Sequence, residues 1–215
     1  MQNVVISFSS SDSVNAVARA SLSASMPSKN HGPFRYVSGP VAGIASFVIG
    51  YLLIYLWRAR DIEQAIEPME TVLAIFQAEP IGSWRVVGWL FYSGHFIDIR
   101  ISARMGPVET TVYIDLISEG SGNLELLYLF PPILLLVSGF LIVSYLDIDR
   151  VVDGATLGAS ITVGYLIAIA LGLLLFAYGD TRPDPVPALI IAGIIYPAVF
   201  GGLGGVVAAV VNDRR

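Results

Sequence analysis

Tyr92, His95 and Asp98 stand three residues apart in an apolar, aromatic stretch, Arg85-Val-Val-Gly-Trp-Leu-Phe-Tyr-Ser-Gly-His-Phe-Ile-Asp98. Were that stretch helical throughout, the three would share one face. A carboxylate beside an imidazole holds its proton and fixes its tautomer, and a phenol beside both extends the chain of donors. Such a trio suits a proton relay or a cation site, and ionisable groups at membrane depth are functional suspects. The plainer alternative is that Asp98 sits at an interface. His95 would then hydrogen-bond a backbone carbonyl or a neighbouring tyrosine.

Other chemistry is poorly provided for. The second histidine, His31, is far from His95 in sequence, and no His-Glu-x-x-His pattern exists, so no metal site and no cofactor is expected. There is no cysteine to serve as thiolate ligand, nucleophile or disulfide. Ser93 lies two residues from His95, a spacing that does not face the pair on a helix, and Gly-x-Ser-x-Gly is missing. The run Gly201-Gly-Leu-Gly-Gly205 follows no strand and lacks the Lys-Ser/Thr of a phosphate loop. A membrane-embedded hydrolase therefore ranks last.

The elements that position these residues are read from composition. The chain has 215 residues, 55% hydrophobic and 13% charged, with a mean hydropathy of +0.72. Soluble domains carry about 25% charged residues. The deficit implies lipid as the main partner. Net charge is −5, with eleven arginines and the single lysine Lys29. No basic stripe exists to neutralise phosphates, so nucleic acid is not an expected partner.

The hydropathy pattern predicts an all-α polytopic membrane protein. It is read as a five-helix transmembrane bundle with a small extramembrane β-hairpin. Residues 1–35 read as a flexible N-terminal tail and 36–215 as the transmembrane domain. Spans are expected at 40–57, 84–99, 124–146, 155–178 and 186–211. The second is only marginally long enough. An acidic amphipathic helix is expected at 62–78, broken at Pro68. Alternating apolar residues on both sides of Met105-Gly-Pro107 predict the hairpin at 98–117.

Within the spans, Pro131, Pro132 and Pro197 predict kinks or restarted helices, since each removes a backbone donor. Gly154/Gly158 and Gly201/Gly205 have the small-xxx-small spacing that lets helix backbones approach closely. They fit either a face for a second copy or another membrane protein, or close packing inside one subunit. Five spans would put the termini on opposite faces of the cell membrane. The arginines after the first span and the C-terminal Arg-Arg place the N-terminus outside and the C-terminus in the cytoplasm.

Four segments carry a resemblance. Gly88-Trp-Leu-Phe-Tyr-Ser-Gly-His-Phe96, Tyr128-Leu-Phe-Pro-Pro132, Gly158-Ala-Ser-Ile-Thr-Val-Gly-Tyr165 and Ile195-Tyr-Pro-Ala-Val-Phe-Gly-Gly202 resemble an uncharacterised family of haloarchaeal multi-spanning membrane proteins. The similarity spans residues 38–211 and leaves the tail out. It implies the architecture and brings no activity. The sequence thus leads first to a non-enzymatic integral membrane protein acting through packing or partner binding. The alternative is a small permease or ion- or proton-translocating protein using Tyr92, His95 and Asp98.

Overall fold

The computed structural model describes residues 34–75, 79–105, 108–120 and 123–215. All but the last two residues of the expected tail, and the Gly106-Pro107 turn, lie outside these. Phe34 and Arg35 already belong to the first helix.

That helix, α1, runs from Phe34 to Ile75, 42 residues, and is about 63 Å long at 1.5 Å per residue. The sequence reading split this segment into a span and a separate amphipathic helix. The structure joins them. Nothing between Trp57 and Asp61 breaks a helix, and Arg58 ties the junction to Asp61 one turn on at 3.1 Å. Pro68 sits inside α1 without ending it, on its exposed outer stretch.

The second expected span is α2, Ser83–Ser93, and it has only 11 residues. At about 16 Å it covers roughly half of a 30 Å hydrocarbon core. Its end is built rather than frayed. Phe96 adopts φ 60°, Phe96 N–H donates to Ser93 at 2.9 Å, and Ile97 N–H donates to Tyr92 at 3.2 Å. This left-handed reversal is a Schellman cap, and it turns the chain back on itself. The helical spacing therefore stops before Asp98.

Beyond the reversal lies a three-stranded antiparallel sheet, ordered β2-β1-β3. The predicted hairpin supplies β1 (Ile99–Met105) and β2 (Val108–Ile114), and Thr181–Pro183 adds β3. A single turn of 3-10 helix (Leu124–Tyr128) leads into α3, Phe130–Tyr145. Pro131 and Pro132 fall in the first turn of α3, where backbone N–H groups have no intrahelical partner anyway. They start a helix instead of kinking one. α3 ends in a second left-handed cap at Asp147, φ 53°.

α4 (Val151–Ala159) and α5 (Ile161–Leu175) form one rod that is slightly disturbed at Ser160. The last rod, α6, runs Pro185–Asp213. Asp184 caps it through Val186 N–H. Widened π-helical turns at Ala188–Ile195 and Pro197–Gly201 flank Tyr196. They absorb the donor that Pro197 lacks.

Four rods among the described residues are long and apolar enough to cross a membrane: Val37–Pro68, Leu124–Tyr145, Val151–Leu175 and Pro185–Asp213. The expected fifth, at 84–99, is not among them, because α2 stops at half length. Neighbour contacts give the directions. Gly39 lies against Ser160 and Gly43 against Ile161, while Tyr51 stacks on Phe176 at 5.2 Å, so α1 and α5 run parallel. Gly154 meets Gly205, and Gly158 meets Gly201, so α6 runs against α4. The start of α1 and the end of α6 consequently share one end of the bundle. The sheet and the start of α2 lie at the other end.

Gly158 shows why the small residues are there. A Cβ on it would fall onto the Gly201 carbonyl oxygen, and one on Gly205 onto the Gly154 carbonyl. The two expected small-xxx-small pairs are thus spent on each other, inside one subunit.

Candidate functional site

The first turns of α2 lie beside the end of α5, where Trp89 Nε1–H donates to the Phe176 carbonyl at 2.7 Å. One turn deeper, Tyr92 O–H donates to the Ile169 carbonyl at 2.6 Å. At the tip, His95 is wholly buried. Its Nδ1 is 2.8 Å from the Phe91 carbonyl oxygen, and its Nε2 is 2.7 Å from the Tyr165 hydroxyl. Because a carbonyl only accepts, Nδ1 carries the proton. Nε2 of the neutral ring is then the acceptor, and Tyr165 O–H donates to it.

Aromatic rings enclose this pair. Phe91 meets the imidazole edge-on at 4.9 Å, and Tyr196 of α6 lies at 5.4 Å. Phe47 of α1 packs against both Phe91 (5.0 Å) and Tyr165 (5.9 Å). Tyr165 is the fifteenth of the 25 residues in the Val151–Leu175 rod, so the α2 tip reaches near its middle. Each polar atom of His95 and the Tyr92 hydroxyl has a partner, and no lone pair on the imidazole is left for a cation.

The three residues that the spacing grouped are therefore separated. Tyr92 and His95 are buried, whereas Asp98 is exposed beyond the reversal. The backbone carbonyl of Asp98 accepts from Asp184 N–H at 2.9 Å, extending the β1–β3 ladder. Phe96, at the cap, stacks on Tyr128 at 4.3 Å, and Tyr128 O–H donates to the Asp115 carboxylate. Tyr165 and Tyr196, which complete the site, were not singled out from sequence. Their signal was position: tyrosine favours membrane interfaces, and a tyrosine in mid-span needs a buried partner for its hydroxyl.

The residues that build this core, from Phe47 to Tyr196, fall within one family match. The chain belongs to the family of unknown function DUF7978, which it matches over residues 19–212. The DUF7978 match begins inside the stretch expected to be a tail, so residues 19–35 fall within it. No curated protein and no solved structure matches the chain.

Two outward-facing cavities lie among the described residues of this DUF7978 chain. One, about 780 Å3, runs between α1 and α3 from Val37 to Ile49 and from Ser138 to Tyr145. Ser46 and Ser138 bond each other at its floor at 2.7 Å. The other, about 710 Å3, lies between α4 and α6 and is lined by Ala155, Ala159, Ala198 and Gly202. Neither includes Tyr92, His95 or Asp98. Among the described residues no three metal-ligating side chains converge.

Proposed function

We propose that this is a multi-pass protein of the cell membrane with four crossings and one re-entrant helix, α2, that works by presenting a rigid surface to lipid or protein partners. Large apolar side chains such as Leu56 (79% exposed) and Leu174 (77%) cover the outer faces of the rods. In water that surface would be an aggregation hazard, and in lipid it is ordinary solvation. Four crossings put residue 34 and Arg215 on the same face of the membrane, in place of the opposite faces that five would require.

The observation that favours a binding scaffold over a translocation path is the state of His95. It is sealed, it is saturated with hydrogen bonds, and it is parted from Asp98. A relay needs a group that can exchange its proton with water or with a neighbour that does. This imidazole reads instead as a staple that holds the tip of α2 to α5.

The test combines extraction and flux. The chain should stay with membranes through carbonate washing and leave only in detergent. Proteoliposomes should dissipate a pH or ion gradient no faster than empty vesicles. Gradient loss above the empty control that His95→Leu abolishes would restore the translocation reading.

A further inference from the structure

The strand register places Arg100 of β1 directly opposite Arg182 of β3, with Tyr113 of β2 opposite Arg100 on its other side. Ile99 is buried and Ile101 packs against the core, so alternation turns Arg100, Arg182 and Tyr113 to the outer face. Like charges directly opposed on antiparallel strands repel. Among the described residues, neither guanidinium has an ion pair or a side-chain hydrogen bond, and Nε of Arg100 is out of reach of water without an acceptor. The carboxylates nearest in register are Asp98 and Asp184. Asp184 already accepts from Val186 N–H to cap α6, and Asp98 makes no ion pair. The next row adds two hydroxyls, Ser102 and Thr111, 3.1 Å apart.

Position along the chain says what neutralises the pair. Arg182 is three residues before Pro185, where the apolar rod α6 begins. That is the level at which phospholipid phosphates lie if α6 spans the bilayer. Guanidinium forks match phosphate oxygens, and the Tyr113 phenol and the one hydroxyl proton that the Ser102–Thr111 bond leaves free supply further donors. We infer that the outer face of the sheet, centred on Arg100 and Arg182, binds the phosphate of an anionic lipid headgroup. The inference rests on the four-crossing membrane reading.

The experiment uses the full chain purified in a neutral, phosphatidylcholine-containing detergent micelle. Failure of the membrane reading would show first, as recovery in the soluble fraction without detergent. Phosphatidylglycerol is then titrated, with phosphatidylcholine and inorganic phosphate as separate arms, and bound lipid is counted by native mass spectrometry. Phosphatidylglycerol should bind, and binding should weaken about fivefold for each of Arg100→Gln and Arg182→Gln, and about 25-fold for both. Both variants should unfold at or slightly above the wild-type temperature in neutral micelles, since each removes a like-charge contact. Phosphatidylglycerol affinity unchanged in the double variant would overturn the site. Inorganic phosphate binding as tightly as the lipid would overturn the headgroup as its occupant.

Discussion

Tyr165→Phe is the sharpest probe of the buried staple. It deletes one oxygen and keeps the ring, so packing against Phe47 at 5.9 Å is conserved. What it removes is the donor to Nε2 of His95 at 2.7 Å, leaving a buried acceptor with no partner. Stranding such a group costs about 1–3 kcal/mol. Interhelical hydrogen bonds inside membranes average nearer 0.6 kcal/mol, because the unfolded helices find other partners. The α2 tip is an irregular segment among aromatic rings, where a substitute donor is scarce, so about 1–2 kcal/mol is expected. For a chain of this size that lowers the unfolding midpoint by roughly 2–8 °C. Tryptophan fluorescence in detergent reads it directly, since Trp89 is hydrogen-bonded in the same core. His95→Leu alone should cost more, because the Phe91 carbonyl also loses its donor. Adding Tyr165→Phe to His95→Leu should then cost less than the single changes summed, by about 0.5 kcal/mol or more. Strict additivity, or a Tyr165→Phe variant as stable as wild type, would refute the pairing and with it the tautomer assigned above.

Further expectations concern packing and topology. Gly158→Ala should destabilise by about 1–3 kcal/mol, because the new methyl lands on the Gly201 carbonyl. Gly202→Ala, whose methyl would meet Ala155 and Ala159 at 3.6 and 3.7 Å, should stay within about 0.5 kcal/mol of wild type; thermal unfolding of the two separates internal packing from a face shared between copies. Asp98→Asn should leave the imidazole nitrogen chemical shifts of His95 unchanged, and a shift would mean that the carboxylate reaches the ring after all. Cysteines placed next to Phe34 and after Arg215 should be labelled by an impermeant reagent from the same side of sealed vesicles. Labelling from opposite sides would restore a fifth crossing.

What could be read in advance follows from how each signal arises. Long uncharged runs announced the four rods, because composition alone decides whether a helix can face lipid. The alternation around Met105 announced β1 and β2 in the same way. α2 was misjudged because hydropathy counts residues and not turns. Trp89, Tyr92 and Ile99 are apolar whether the chain passes on or doubles back, and the reversal is set by Phe96, a residue that seldom adopts a left-handed conformation. β3 was missed because Thr181-Arg-Pro183 is only three residues long and exists as a strand only against β1. Pairing of His95 with Tyr165, 70 positions away, has no local trace. Of the two readings the residues allowed, a relay with Asp98 or a histidine bonded to a carbonyl and a tyrosine, the structure has the second, and the cap keeps Asp98 away.

That cap also explains why the staple has to be where it is. Backbone that leaves the helix inside a bilayer survives only if protein, not lipid, satisfies it. Between Gly94 and Asp98 several of the groups that the reversal frees find such a partner. His95 N–H donates to Tyr92 at 2.8 Å, Phe96 and Ile97 donate across the Schellman turn, and the Asp98 carbonyl accepts from Asp184. The Ile97 carbonyl takes the Ser93 hydroxyl at 3.5 Å. Most of these bonds are local to the α2 end, the Asp98–Asp184 bond ties it to the start of α6, and the imidazole between Phe91, Tyr165 and Tyr196 ties the tip to α5. The histidine that invites a catalytic or transport reading therefore has a sufficient physical cause in the geometry of a half-length helix. On the scaffold proposal it is the outer faces that do the binding, and among the described residues the arginine pair of the sheet stands there without an ion pair.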